Sequence, residues 1–224
     1  MKSRVLNKKQ LKRMPDYLST IKDMKGRGIK YVSSQEIADF LNLNNEQVKK
    51  DIAIVSTKSG IPNKGREINQ LIMDIENVLG YDDIHNAIII GIGNLGKALL
   101  KYEGFKEYGL KIVGAFDKDE ETIGLLINGI RVRDINTLPK VFNDYNAKIG
   151  IITTPKGCAQ EIADVLINSG AEAILNFSPI RIVSNRKNVI VSNINTATNL
   201  SVLSHQLLLM KKKNEEKSKK EGVI

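Results

Sequence analysis

The chain has 224 residues, 42% of them hydrophobic, and a formal charge of +9, which is room for one large core or for a core with a small satellite domain. The charge is uneven: residues 1–67 hold fifteen Lys or Arg against seven Asp or Glu, residues 81–198 hold thirteen of each, and an anionic partner is therefore expected at the N-terminal part. A single cysteine, Cys158, excludes a disulfide framework and a cysteine-based zinc site, and no apolar run suits a membrane span or a secretory signal, so the expectation is a cytoplasmic protein with no metal and no membrane partner.

After a basic leader, "RMPDYLSTIKDMKGRG" predicts a helix opened by Pro15, with Tyr17, Leu18, Ile21 and Met24 at helical spacing and Gly26 and Gly28 at its close. "VSSQEIADFLNLN" places Ser33 and Glu36 in the capping-box relation ahead of an apolar face of Ile37, Phe40 and Leu41. A tight turn over Asn42, Leu43 and Asn44 leads into "NEQVKKDIAIV", where Val48, Ile52 and Val55 face inward and Lys49 and Lys50 point elsewhere. Three short helices, the second and third joined by a tight turn, describe a helix-turn-helix. "STKSGIPNKG" has the size of a wing hairpin, and "INQLIMDIENVLG" predicts an amphipathic helix capped by Gly80. Contacts to double-stranded DNA are expected from Ser33, Ser34, Asn45, Gln47, Lys49, Lys50, Lys58 and Lys64. Lysines on phosphates give salt-sensitive affinity without specifying a sequence. A small helical domain with a solvated lysine face fits the same pattern.

"NAIIIGIGNLGKALLKYEGF" reads as a buried β-branched strand, then Gly91, Gly93 and Gly96 in the order G-x-G-x-x-G, then a helix. The first glycine makes the turn, the second lets backbone approach a pyrophosphate, and the third lets helix and strand pack closely. A second strand, "LKIVGAFD", ends at Asp117, where a carboxylate can accept both ribose hydroxyls of an adenosine, which favours NAD over NADP; Lys118 beside it softens that preference. "AKIGIITTP" is a strand ending at Thr153, Thr154 and Pro155, "AQEIADVLINSG" a helix, and "AEAILNFSPI" a strand through Asn176 and Phe177 that breaks at Ser178 and Pro179. "RIVSNRKNVIVSN" predicts hairpin-like strands. "TNLSVLSHQLLLMKKK" is a last helix with Leu200, Leu203, Leu207 and Met210 on one side, packed on its own sheet or lent to a partner subunit. The tail after it ends as a solvated helix extension or frays. The expected cofactor set is Gly91, Gly93, Asn94, Leu95, Gly96, Asp117, Lys118, Thr153, Thr154, Pro155, Asn176, Phe177 and Ser178.

The fold class is α/β: a winged helix-turn-helix domain (1–80), a Rossmann-like doubly wound domain (81–196), and a C-terminal helix with a charged tail (197–224). This order, with "RMPDYL", "VSSQEIADFL", "QVKKDI", "GIGNLGKAL", "YEGF", "FDKDEETIG", "TTPKGCAQEIADVLINSGAEAILNFSPI" and "VSNIN", resembles the Rex family of bacterial repressors that sense the NADH to NAD⁺ ratio. The resemblance implies a non-enzymatic homodimer with exchanged C-terminal helices, bound to a palindromic operator and released when NADH closes the dimer. It also implies that Thr154, Pro155, Phe177 and Ser178 surround the nicotinamide, and that Arg13 and Tyr102 work with an acid in redox discrimination. At that acid's position stands Asn195, followed by Thr196; the recognition helix carries Lys49, Lys50 and Ala53 where the family has Arg and Ser, and the wing differs too. A paralogue with altered operator or lost discrimination stays open.

Three other readings are weaker. A small NAD-dependent oxidoreductase wants a proton donor near the nicotinamide, which His85 before the first strand and His205 on the last helix do not supply. A coenzyme A module would share the glycine turn, but Asp117 disfavours a ribose phosphate. A thiol sensor at Cys158 rests on one cysteine near a helix start.

Overall fold

The computed structural model describes residues 6–221, with side chains up to residue 214; the end of the predicted tail, 222–224, and the first five residues of the leader lie outside the described residues. The chain divides into two compact units, Met1–Ile84 with Glu107–Gly109, and His85–Lys106 with Leu110–Ile224.

In the first unit, α1 (Lys8–Gly26) starts at Asn7, whose side chain accepts the Lys9 and Gln10 amides while the Gln10 side chain accepts the Asn7 amide. This capping box corrects the expectation that Pro15 opens the helix: two reciprocal bonds satisfy the orphan amides earlier in the chain, and Pro15 sits in the helix interior. β1 (Tyr31–Val32) follows, then α2 (Ser34–Leu41), capped by Ser33 and Glu36 as expected, and α3 (Asn45–Val55), capped by Asn44. Ile37 and Ala38, not Phe40, carry the burial of α2; Phe40 is half exposed, with the Arg27 guanidinium 5.8 Å above its ring. β2 (Arg66–Glu67) pairs antiparallel with β1, and α4 (Ile68–Leu79) ends at Gly80 in the left-handed region. The core joins Met14, Tyr17, Leu18 and Ile21 of α1 to Val48, Ile52, Leu71 and Ile75. The wing is short and tightly tied. Ile61 and Gly65 bridge, and Gly65 has φ of 85°, where a Cβ would lie 2.3 Å from the Val32 carbonyl oxygen.

The second unit is a seven-stranded sheet. Its elements are β3 (His85–Ile90), α5 (Asn94–Lys101), β4 (Leu110–Asp117), β5 (Leu126–Ile127), β6 (Ile130–Asp134), α6 (Leu138–Val141), β7 (Ala147–Ile152), α7 (Ala159–Asn168), β8 (Ala173–Asn176), β9 (Ile190–Asn193) and α8 (Thr196–Glu221). The order is β5-β6-β4-β3-β7-β8-β9, parallel throughout except for β5 on β6. Without β5 this is the doubly wound order 3-2-1-4-5-6. Ile88, Ile90 and Ile152 build the core on one face with Phe116 and Leu166, and Ile89 and Ile151 on the other. β5 and β6 form a hairpin turned by Asn128 and Gly129, with φ of 49° and 78°.

The segment 181–193 is not a hairpin, as its alternation predicts. Only β9 is a strand, and it runs parallel to the open edge of β8, while Asn193 binds both the amide and the carbonyl of Ile182 and ties the preceding loop down. From Thr196 to Asn214 every side chain is exposed, including Leu200, Leu203, Leu207, Leu208, Leu209 and Met210, so α8 does not pack on its own sheet.

Candidate cofactor cavity and nucleic-acid interface

A cavity of about 1290 Å³ opens at the carboxyl ends of β3, β4, β7 and β8. β3 lies between β4 and β7, so the chain reverses its direction of winding there, where doubly wound sheets bind ligands. Of the expected cofactor residues, the structure gathers Gly91, Gly93, Asp117, Lys118, Thr153, Thr154, Pro155 and Phe177 around this cavity. Cys158 lines it too, its sulfur 3.6 Å from the Pro155 carbonyl oxygen.

The three glycines are there for different physical reasons. Gly91 has φ of 92°, and a Cβ on it would meet the Thr154 methyl at 2.7 Å. On Gly96 a Cβ would meet the Gly91 carbonyl oxygen at 2.1 Å, so α5 can approach the turn only if this residue is glycine. Gly93 is the opposite case: its φ of −71° suits any residue, and a Cβ would meet nothing within 4 Å. That space lies at the N-terminus of α5, where a diphosphate meets backbone amides and the positive end of the helix dipole. The residues present therefore fit a dinucleotide.

Asp117 holds the turn in place as well as lining the cavity. Its Oδ2 accepts the Ile92 amide at 2.5 Å, and its Oδ1 accepts those of Lys118 and Asp119 at 2.7 and 3.1 Å. The Thr153 hydroxyl is occupied by the carbonyls of Ile90 and Gly91, whereas the hydroxyl oxygens of Thr154 and Ser178 are buried without a partner.

Other expected positions fall outside the lining. Asn94, Leu95 and Gly96 form the first turn of α5. Asn176 faces the interior, completely buried and outside the lining, because it ends β8 beside β9 and its amide is used in protein contacts. Ser178 is buried between Phe177 and Pro179, which do line the cavity. His85 begins β3, five residues and roughly 17 Å of strand from the cavity edge, too far to serve as a proton donor there.

In the first unit, Asn45, Gln47, Lys49 and Lys50 all lie on α3. Lys49 and Lys50 are exposed, Lys49 with Glu46 at 3.6 Å, and the Asn45 amide oxygen is buried without a partner. Ser33 caps α2 and Ser34 begins it; Lys58 lies in the wing segment, and Lys64 at its turn has its ammonium 6.0 Å from the Tyr31 ring. A groove of about 770 Å³ is lined by Ser33, Ser34, Lys49 and Lys64.

Sequence reasoning missed Asp51. Only 2% exposed on the inner face of α3, it accepts from Gln10 at 3.0 Å, from Arg13 at 2.8 and 2.6 Å, and from Tyr17 at 3.0 Å. Burial opposes the Arg13 charge, but the bonds to Asp51 outweigh it and push the guanidinium pKa up; burial first, then Asp51, raises that of the Tyr17 phenol. Its place three residues after Val48, in the inward row, was the available signal. In the second unit, the Tyr102 ring stands edge-on to Phe105 at 5.0 Å and covers Gly104, where a Cβ would lie 2.5 Å from it. Asn195 caps α8, its Oδ1 accepting the Thr198 amide at 3.0 Å. A carboxylate or an amide can fill that capping role, so Asn195 keeps the helix start that an acid would make.

No helix of the described residues is long and apolar enough to cross a membrane, and no three metal-ligating side chains cluster among them. Family models match both units: "Putative DNA-binding protein N-terminus" over residues 8–53 and "CoA binding domain" over residues 82–180. The redox-sensing transcriptional repressor Rex of Bacteroides thetaiotaomicron is 38% identical over 88% of this chain and 89% of its own length, and that of Desulforamulus reducens 35% over 95% and 100%. Among solved structures, RSP, a Rex-family repressor, superposes with a TM-score of 0.83 at 28% identity, covering 95% of this chain and 99% of that one. RSP in complex with beta-NAD+ and operator DNA gives 0.85 at 28% identity, covering 96% and 98%. With relatives at this identity over nearly their whole length, the chain belongs to the Rex family of redox-sensing transcriptional repressors.

Proposed function

We propose that this protein is a cytoplasmic, homodimeric repressor that binds operator DNA through α3 and the wing, and leaves it when NADH occupies the cavity of the second unit. The observation that carries this reading is Gly93, whose empty Cβ space faces a large cavity at the switch point while Asp117 stands at the end of the neighbouring strand. Gly91, Gly93, Asp117, Lys118, Thr153, Thr154, Pro155 and Phe177 are assigned to cofactor binding, with Asn94, Leu95, Gly96 and Ser178 supporting them. The DNA surface is assigned to Ser33, Ser34, Asn45, Gln47, Lys49, Lys50, Lys58 and Lys64.

NADH and NAD⁺ differ in ring charge. Pro155, Phe177 and the Thr154 methyl give the ring an apolar setting that penalises the positively charged form through desolvation. Ligand can shift the balance between a DNA-competent and a closed dimer only by its difference in affinity for the two. The exposed apolar row of α8 supports exchange of this helix with a second copy, since a helix apolar on several sides is stable only when covered. The folding units are assigned to 1–80, 81–196 and 197–224.

The match to a coenzyme A binding domain favours a second reading, in which the adenine ligand carries a ribose phosphate. Asp117 opposes it, because a carboxylate at the ribose repels that group. The test is fluorescence anisotropy of a duplex selected by this protein from a randomised library, titrated with NADH, NAD⁺ and coenzyme A in turn. Release by NADH at lower concentration than NAD⁺ supports the proposal. Release by coenzyme A alone, or by none of the three, overturns it.

A further inference from the structure

β8 and β9 end on the same rung: Asn176 and Asn193 are ladder partners at the carboxyl edge of the sheet. Their side chains meet there, the Asn176 Nδ2 donating to the Asn193 Oδ1 at 2.8 Å and to the Ile180 carbonyl at 2.7 Å. On one side of this pair is the cavity wall. The Asn176 Oδ1 accepts the amide of Ser178 at 2.8 Å, and Ser178 lies between Phe177 and Pro179, both lining residues. The Asn193 amide in turn grips Ile182, accepting its N–H at 2.9 Å and donating to its carbonyl at 3.2 Å, so the two side chains tie together both ends of the loop from Phe177 to Ile182, whose Phe177 amide also donates to the Ile152 carbonyl. On the other side is the root of α8. The Ile194 amide donates to the Asn176 carbonyl at 2.8 Å, and one residue later Asn195 caps the helix.

Two amides therefore connect a wall of the cavity to the start of α8, whose side chains from Thr196 to Asn214 are all exposed. Asn176 is fully buried, and with both its donors and its acceptor engaged it has one arrangement available. A ligand that moves Phe177 or Pro179 moves the Ser178 amide, and the pair can keep its bonds only if Ile182 and Ile194 follow. We infer that Asn176 and Asn193 are positioning residues that convert occupancy of the cavity into the direction of α8. This inference rests on the functional reading above and adds to it the residues that link its two ends. Neither lines the cavity: Asn176 is buried in the interior and Asn193 stands outside the lining.

The test separates affinity from coupling. Asn193→Ala removes the contacts to Asn176 and Ile182 and leaves the cavity lining intact. Asn193→Asp keeps both acceptor contacts but replaces the donor to the Ile182 carbonyl by a second carboxylate oxygen, which that carbonyl repels. For Asn193→Ala, NADH affinity by nucleotide fluorescence and ligand-free duplex affinity are expected within about threefold of the parent, while the factor by which NADH weakens duplex binding falls from the roughly 5–150 typical of coupled sites to within about twofold of one. Asn193→Asp is expected to restore part of it, through the two acceptor contacts that it keeps. A role in stability alone lowers the melting temperature but leaves that factor unchanged, and this result overturns the inference. If Asn193→Ala does not fold, hydrogen exchange in the parent decides: NADH is expected to slow exchange at Ser178, Ile182, Ile194 and Thr198 together, and protection confined to Ser178 and Ile182 overturns the inference. A parent protein that binds NADH without any change in duplex affinity fails the functional reading itself, a result visible in the first titration.

Discussion

Gly93→Ala isolates the ligand from the fold. The backbone at Gly93 has φ of −71° and ψ of −164°, open to alanine, and the added Cβ meets no protein atom within 4 Å. Stability is therefore expected to stay within about 0.5 kcal/mol of the parent. The methyl instead fills the space a diphosphate needs to reach the first amides of α5. Two charge-assisted hydrogen bonds lost at about 1.5 kcal/mol each make about 3 kcal/mol, or roughly a 100-fold rise in Kd. Gly96→Ala is the control with the opposite signature: its Cβ would lie 2.1 Å from the Gly91 carbonyl oxygen, so α5 must shift by roughly an ångström, at an expected cost of about 1–3 kcal/mol. NADH fluorescence titration and thermal melting on both variants check the pair. A Gly93→Ala protein that melts like the parent and binds NADH as tightly would refute the assignment of that space to the ligand.

Asp51→Ala leaves Gln10, Arg13 and Tyr17 without their shared acceptor, and is expected to destabilise the first unit by about 2–4 kcal/mol and abolish duplex binding, with NADH fluorescence titration unchanged. Lys49→Ala and Lys50→Ala are each expected to lower the slope of log affinity against log salt by about 0.9, read by anisotropy between low and moderate salt, if each lysine meets one phosphate. Burial raises the Tyr17 and Tyr81 pKa values above their ordinary value of 10.0. The unfolded chain then releases these protons first, so the stability they contribute is complete below pH 10 and declines as pH rises through the folded values. Urea melts at pH 9 and pH 11 should show the loss, and Tyr17→Phe should reduce it.

Features whose cause is local were legible in the sequence. Gly91, Gly93, Gly96 and Asp117 follow from one strand-turn-helix-strand unit, in which each residue type answers a constraint within a few residues. The Ser33 capping box is equally local. Pro15 misleads because two signals compete for one helix start, and Asn7 with Gln10 wins by satisfying amides that Pro15 could only do without. Asn128-Gly129 is a hairpin signal that was readable and went unread. The long-range pairs were out of reach. Asp51 gathers donors from 34 to 41 residues away, and Asn176 meets Asn193 only because β9 joins the sheet parallel to β8. Alternation in 181–193 suggests a hairpin because a pattern of period two does not say which neighbour a strand takes.

Cavity and DNA surface are proposed to exchange binding energy, and reciprocity tests that exchange most directly. NADH affinity should be measured by nucleotide fluorescence with no DNA and then with a saturating excess of the selected duplex. Because coupling is mutual, duplex should weaken NADH binding by the same factor by which NADH weakens duplex binding. An NADH affinity indifferent to bound duplex would contradict the account.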